Sequence, residues 1–241
     1  MYNRHKDNKI IIEIADFFRN FINLMDELAK FIKDNELIKK IYLPTEILKV
    51  TQKNQIAITT NMSENDAFNI LNSENTNEAL FNYFLKNNEE KLNEVINESK
   101  QYPILQNKIK YYEDALAAYH NGTYYSACVA LFSICDYLLT VIQHNDTTNF
   151  ITRLSPIIAH LEYKESFSIF VCSSYQVIQT FFEHSDFNKG NEPPLLNRHW
   201  ILHGRSNRTI TKNDCIKLFC LIHALLITDR LIYKYQEKIN F

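Results

Sequence analysis

Apolar residues recur at steps of three and four over most of the chain, the spacing of helices that bury one face. Between Ile10 and Ile38 they fall at Ile14, Phe17, Phe18, Phe21, Met25, Leu28, Phe31 and Ile32, with Asp16, Arg19, Asp26 and Lys30 largely off the stripe. The stretch IYLPTEILKVTQKNQIAITT that follows is rich in β-branched residues and contains Pro44. It is the least helical part of the chain and reads as extended or as a short hairpin. Ser63 and Asp66 read as a capping box that opens a short helix. Thr76 opens another, with Leu80, Phe81, Phe84 and Leu85 as its apolar face. Residues 87–100 are charged and polar and read as a solvated helix face. The pattern breaks at Gln101–Pro103. That break divides a smaller, mostly helical N-terminal region (1–102) from a C-terminal helical region (103–241).

The C-terminal pattern is clearer. Residues 106–120 form an amphipathic helix with Ile109, Tyr112, Ala115, Leu116 and Tyr119 inward. Asn121–Gly122 supplies the positive φ of a helix C-cap. Thr123 caps a helix that runs to about His144 and is apolar nearly all round, which suits the centre of a bundle. Helices are expected over 150–162 and 164–185. The loop NKGNEPP then precedes LLNRHWILHGR, and a last helix runs from about Lys212 to Lys238. Short loops between antiparallel helices predict an all-α, up-down bundle.

Composition narrows this picture. The 241 residues are 46% hydrophobic and 22% charged, so the chain is globular and has enough apolar surface for a core. Its three glycines are too few for the turns of a barrel or sandwich, and none are close enough together to cradle a phosphate. The net charge of −2 gives the whole chain no footprint for nucleic acid or an acidic membrane, so any such site must be a local patch. The five cysteines form no CxxC pair and read as buried cytosolic thiols. The first residues lack a signal-peptide pattern. The best membrane-span candidate, Cys215–Ile227, is too short and carries Lys217 and His223. A cytoplasmic protein without membrane partners is expected.

Chemistry concentrates at residues 196–205, Leu-Asn-Arg-His-Trp-Ile-Leu-His-Gly-Arg. An arginine and two histidines are the side chains that bind phosphate and move protons near neutral pH. Arg198, Arg205, Arg208 and Lys212 form a basic island, with no acidic residue between Pro193 and Asn213. Two chemistries fit. Arg198 could grip a phosphodiester while His203 moves a proton. Five helical steps turn these two about 140° apart, so either the arginine sits at an irregular helix start or a second chain completes the site. Alternatively, His199 and His203, one turn apart, could hold a metal; no nearby acidic residue completes that set. A plain capped helix start with satisfied histidines is the structural alternative. Asp136, midway along an apolar helix, needs a partner or water. His223 reads as a core or interface histidine. Tyr124 and Tyr125 read as packing residues, and Glu183–His184 as a solvated helix end.

Arg198-His-Trp-Ile-Leu-His203 resembles the R-x4-H signature of the HEPN superfamily, in which a polar residue usually follows the arginine, as His199 does here. The segment ALAAYHNGTYYSACVALFSICDYLL is similar to that family's first two helices, and NRHWILHG with the long apolar helix after it to the family's final third. The resemblance covers about residues 104–241. It implies a four- to five-helix bundle, a homodimer, and a metal-independent endoribonuclease that needs no cofactor. Its composite cleft would lie between the R-x4-H motifs of two protomers. Arg198 would stabilise the scissile phosphate and His203 would act in acid–base catalysis or position the 2′-hydroxyl. The products would be a 2′,3′-cyclic phosphate and a 5′-hydroxyl. His199 would orient the arginine or contact RNA, and Asn197 would be a helix cap or ligand contact. Asp136 would either face the motif and pair with Arg198 or a neighbour, or make a structural hydrogen bond elsewhere. Arg205, Arg208 and Lys212 would contact RNA. Family members of this kind serve as toxins and in phage defence through abortive infection. Such a toxin would need restraint, from the N-terminal region or from an antitoxin or activator partner. A non-catalytic module that binds nucleotides or proteins is the alternative, and a purely structural helical protein a third.

Overall fold

A computed structural model of the chain describes residues 46–143, 168–183, 187 and 191–239. The helices expected over 10–38 and 150–162 lie outside these residues, as does His184. Among the described residues the fold is all-α, with no strand. Its helices are α1 (46–54), α2 (Glu64–Leu71), α3 (Thr76–Ser99), α4 (Pro103–Gln106), α5 (Ile109–His120), α6 (Tyr124–Gln143), α7 (Ser168–Phe181), α8 (Arg198–Leu202) and α9 (Lys212–Ile239).

The stretch read as extended or as a hairpin is corrected in part. Residues 46–54 are helical, the run 56–59 after them is neither helix nor strand, and residues 41–45 lie outside the described residues. Ile47 and Thr51 are buried, so packing overrides the β-branched propensity of this stretch. The helix ends in a Schellman motif: Ile56 N–H donates to the Thr51 carbonyl and Gln55 N–H to that of Gln52, with Gln55 at φ 56°. Two further chain reversals use the same device with glycine. Gly122 (φ 75°) ends α5, and Gly204 (φ 64°) ends α8. The Ser63–Asp66 capping box opens α2 as expected. The Thr123 hydroxyl, expected to cap α6, instead donates backwards to the Ala118 carbonyl and tightens the α5–α6 turn.

In α3 the polar run 87–100 is helical but not simply solvated, because Leu92, Val95, Ile96 and Ser99 are buried on one face. The helix breaks at Lys86–Glu89, where Asn87, Asn88 and Glu89 have φ of 51°, 54° and 64°. Left-handed residues cost about 1–2 kcal/mol each, least for asparagine. Glu89 is anchored there: its carboxylate accepts from the Tyr119 hydroxyl at 2.9 Å and pairs with Lys212.

α6 is the central helix. α5 and α9 pack along it, α8 rests on it, and α9 also packs against α3 and α7. Tyr112 and Tyr119 of α5 meet Phe219 of α9 edge-on, with ring centroids 5.7 and 5.5 Å apart. The buried cluster runs from Ile47 to Leu226 without interruption at the 102/103 division, so the described N-terminal residues pack on the same core as the bundle. The sequence points to Cys215–Ile227 as the best, if too short, candidate for a membrane span, but α6 is the one helix among the described residues that is long and apolar enough to cross a membrane by length and composition. Half of it is buried inside the fold. Four cysteines are buried and Cys172 is half-buried, and all five are free thiols. Burial pushes the Cys135 and Cys220 thiols well up, and that of Cys172 to about 11. His223 is a core residue, with Nε2 2.9 Å from the Thr60 hydroxyl and Nδ1 3.2 Å from that of Ser99. Burial holds its imidazole below the usual range against the pull of Glu98.

Asp214, in the first turn of α9, is buried. Its carboxylate accepts from the Thr211 N–H and hydroxyl (2.9 and 2.8 Å) and pairs with Lys217 at 3.1 Å. Burial alone would raise this carboxyl, but Lys217 and the Thr211 donors outweigh it and hold it below its usual value. A carboxyl depressed in the folded state adds stability above its unfolded pKa and loses it as the pH falls through the folded value. Asp214→Asn is therefore expected to cost about 1–3 kcal/mol at neutral pH. In urea unfolding across pH, that difference should narrow below about pH 4. A difference that stays constant into acid would contradict the assignment.

Candidate functional site

The site is built on α8, whose length is set by its two ends. Asn197 is the N-cap: its side-chain oxygen accepts from the N–H groups of His199 (2.9 Å) and Trp200 (3.3 Å). At the other end, Gly204 N–H donates to the Ile201 carbonyl and Arg205 N–H to that of Trp200. The R-x4-H string thus runs from the first helical position, Arg198, to the C-cap, His203. Trp200 and Ile201 are buried and seat the helix. Tyr125, on α6, donates its hydroxyl to the Ile201 carbonyl at 3.1 Å, satisfying an end group of α8.

Arg198 reaches Asp136 on α6. Nε donates to Oδ1 at 2.9 Å and to Oδ2 at 3.0 Å, and Nη2 also donates to Oδ2. Of the two outcomes expected for Asp136, the structure has the pair with Arg198. The carboxylate occupies one edge of the guanidinium. Three of the five N–H donors remain for another acceptor, and the side chain is 32% exposed. The Phe182 ring lies 5.6 Å from the guanidinium carbon.

His203 has different company. His199 and His203 are neighbours with ring centroids 4.6 Å apart. Phe187 stacks on His199 at 4.3 Å with planes 3° apart and meets the His203 ring at 5.6 Å. Arg205 lies over the Phe187 ring at 4.4 Å. Within one chain, then, Arg198 faces Asp136 and Phe182, while His203 faces His199 and Phe187. No described hydrogen bond joins Arg198 to His203. Among the described residues, no group of three or more His, Cys, Asp or Glu comes together as a metal site would require.

The basic island is smaller in space than in sequence. Three carboxylates enter it from elsewhere in the chain. Asp136 holds Arg198, and Glu89 pairs with Lys212, which also lies 5.5 Å from the Tyr119 ring centroid. Glu192 accepts from the Ser206 hydroxyl and, at 2.9 Å, from Asn207 N–H. Arg205 is exposed. Arg208 has its Nε and Nη1 buried without a hydrogen-bond partner. Tyr124 packs near Tyr119, and Glu183 is exposed, its carbonyl accepting from the Asn197 amide at 2.9 Å.

Four contributors were not visible in the sequence. Phe182 and Phe187 supply ring faces to the charged groups, and Glu192 braces the loop after α8. Gln55, far away in the chain, binds both backbone groups of Leu196. Only the aromatic-rich run from Phe181 to Phe187 carried a signal that pointed this way. No family model, curated protein or solved structure matches the chain.

Asn197 is buried, and it both caps α8 and ties it to the end of α7. Asn197→Ala is expected to cost about 2 kcal/mol, the upper end of the range for cap removal. Asn197→Ser keeps a capping oxygen but cannot span to Glu183, so it should recover part of that loss in thermal or urea unfolding. Equal losses for the two variants would show that the cap contributes nothing.

Proposed function

We propose that the protein is a metal-independent endoribonuclease that cuts RNA at a composite R-x4-H site in a homodimer. The observation that carries this reading is the state of Arg198. It stands at the first position of a capped helix, held along one guanidinium edge by Asp136 with the other edge open. An arginine fixed in this way is suited to bind a phosphodiester and stabilise the charge that builds on it. In the composite site that the resemblance to HEPN proteins implies, His203 of a second copy stands opposite Arg198 of the first. In the reaction the 2′-oxygen of RNA attacks phosphorus while His203 accepts the hydroxyl proton or positions that hydroxyl. The P–O5′ bond breaks, and the leaving oxygen takes up a proton from protonated His203 or from water. The products are a 2′,3′-cyclic phosphate and a 5′-hydroxyl. His199, packed against His203, orients that ring, and Arg205 and Arg208 add positive charge for the RNA backbone. The resemblance to HEPN proteins further suggests a cytoplasmic toxin or abortive-infection effector, restrained or released by a protein partner.

The part-exposed guanidinium of Arg198 also suits a second reading, a module that grips a nucleotide phosphate or a protein without cleaving anything. One experiment distinguishes the two. Purified wild type, Arg198→Ala and His203→Ala, each confirmed folded, are incubated with total cellular RNA in EDTA, and thermal shifts with nucleotides are measured in parallel. The nuclease reading predicts cutting by wild type with cyclic-phosphate ends, reduced about a hundredfold or more in both variants. No cutting, with a nucleotide shift lost in Arg198→Ala, would favour the binding module. Neither activity would contradict both readings.

A further inference from the structure

We propose that Gln55 is a positioning residue for the Arg198–His203 helix, and that the segment around it belongs to the site. This rests on the reading of α8 as the functional element. Gln55 is fully buried and sits at φ 56°, the left-handed position where a helix end favours glycine. Glycine there would relieve the strain but would lack the amide that makes the contacts that follow. Its Oε1 accepts from Leu196 N–H at 2.8 Å, and its Nε2 donates to the Leu196 carbonyl at 2.9 Å and to the Thr180 hydroxyl at 3.1 Å. One primary amide thus pairs with both backbone groups of the residue directly before the N-cap Asn197. Leu196 is itself fully buried, so no water can replace these bonds when they are lost.

The same amide secures the other wall of the site. Thr180 lies in the last turn of α7, two residues before Phe182, whose ring faces Arg198. The segment continues in the same way: Ile58 N–H donates to the Ser173 hydroxyl of α7 at 2.7 Å, and Thr60 meets His223 of α9. A stretch from the N-terminal region therefore fixes where α8 begins, and with it the direction of Arg198. Misplacement of a reacting group by about an ångström is enough to cost large factors in rate.

The test uses full-length Gln55→Met and Gln55→Glu. Methionine fills the space without hydrogen bonds. A protonated glutamic acid can both accept from Leu196 N–H and donate to its carbonyl, whereas its carboxylate cannot donate. Two readouts are taken: amide hydrogen exchange, and RNA cleavage per folded molecule relative to wild type at each pH. The expected result is faster exchange confined to 196–203, with α9 unchanged. Cleavage should be about tenfold or more slower in Gln55→Met at every pH. Burial favours the protonated, donating form of Gln55→Glu, so its deficit should be small at neutral pH and grow as alkali ionises the carboxyl. If the methionine variant does not fold, the glutamate variant alone decides by the growth of its deficit in alkali. Wild-type cleavage and exchange in folded Gln55→Met would overturn the proposal. If wild type cuts no RNA, the nuclease reading fails, and exchange alone decides the positioning role. Faster exchange confined to 196–203 would sustain it, and unchanged protection would overturn it.

Discussion

The site depends on the pairing of one arginine with one carboxylate. Arg198 is at the start of a five-residue helix, which has little stability of its own. Asp136 is in the middle of an apolar helix and is 32% exposed, so its carboxylate is partly withdrawn from water and gains from a partner. Each residue removes the other's difficulty. The pair also joins α8 to α6, the helix against which α5 and α9 pack. Side-on contact leaves part of the guanidinium open. The same interaction therefore stabilises the fold and presents a fixed donor edge to a ligand.

Around this pair, α8 is held by hydrogen bonds to its backbone ends rather than by its length. Asn197 caps its beginning, Gly204 turns the chain at its end, Tyr125 satisfies its Ile201 carbonyl, and Gln55 fixes the residue before it. These partners come from α6, from α7 through the Glu183 carbonyl, and from the segment after α1. Such a helix is well placed but easily displaced if one anchor is lost. The N-terminal residues among these anchors are part of the support of α8.

What could be read in the sequence was what depends on neighbours in the chain. The capping box at Ser63, the glycine turn at Gly122, and the last helix from Lys212 all follow from local residue chemistry and were legible. So was the need of Asp136 for a partner, because a lone carboxylate on an apolar helix signals one wherever it occurs. Features set by distant contacts were not. Residues 46–54 have β-branched character, yet packing of Ile47 and Thr51 makes them helical. The basic island held no acidic residue in sequence, yet folding brings Asp136, Glu89 and Glu192 to it from three directions. The left-handed turn at Asn87–Glu89 has an anchor, Lys212, more than a hundred residues away. Gln55 had no signal at all, because a glutamine that binds backbone looks in sequence like any other polar residue.

The central claim is that Asp136 and Arg198 act as one unit. A double-mutant cycle with Asp136→Asn, Arg198→Gln and both together, followed by urea unfolding at neutral pH, tests it most directly. The account predicts a coupling of about 1–3 kcal/mol, as befits a half-buried bidentate pair. Additivity within about 0.5 kcal/mol would mean that the two side chains do not depend on each other, and would contradict it.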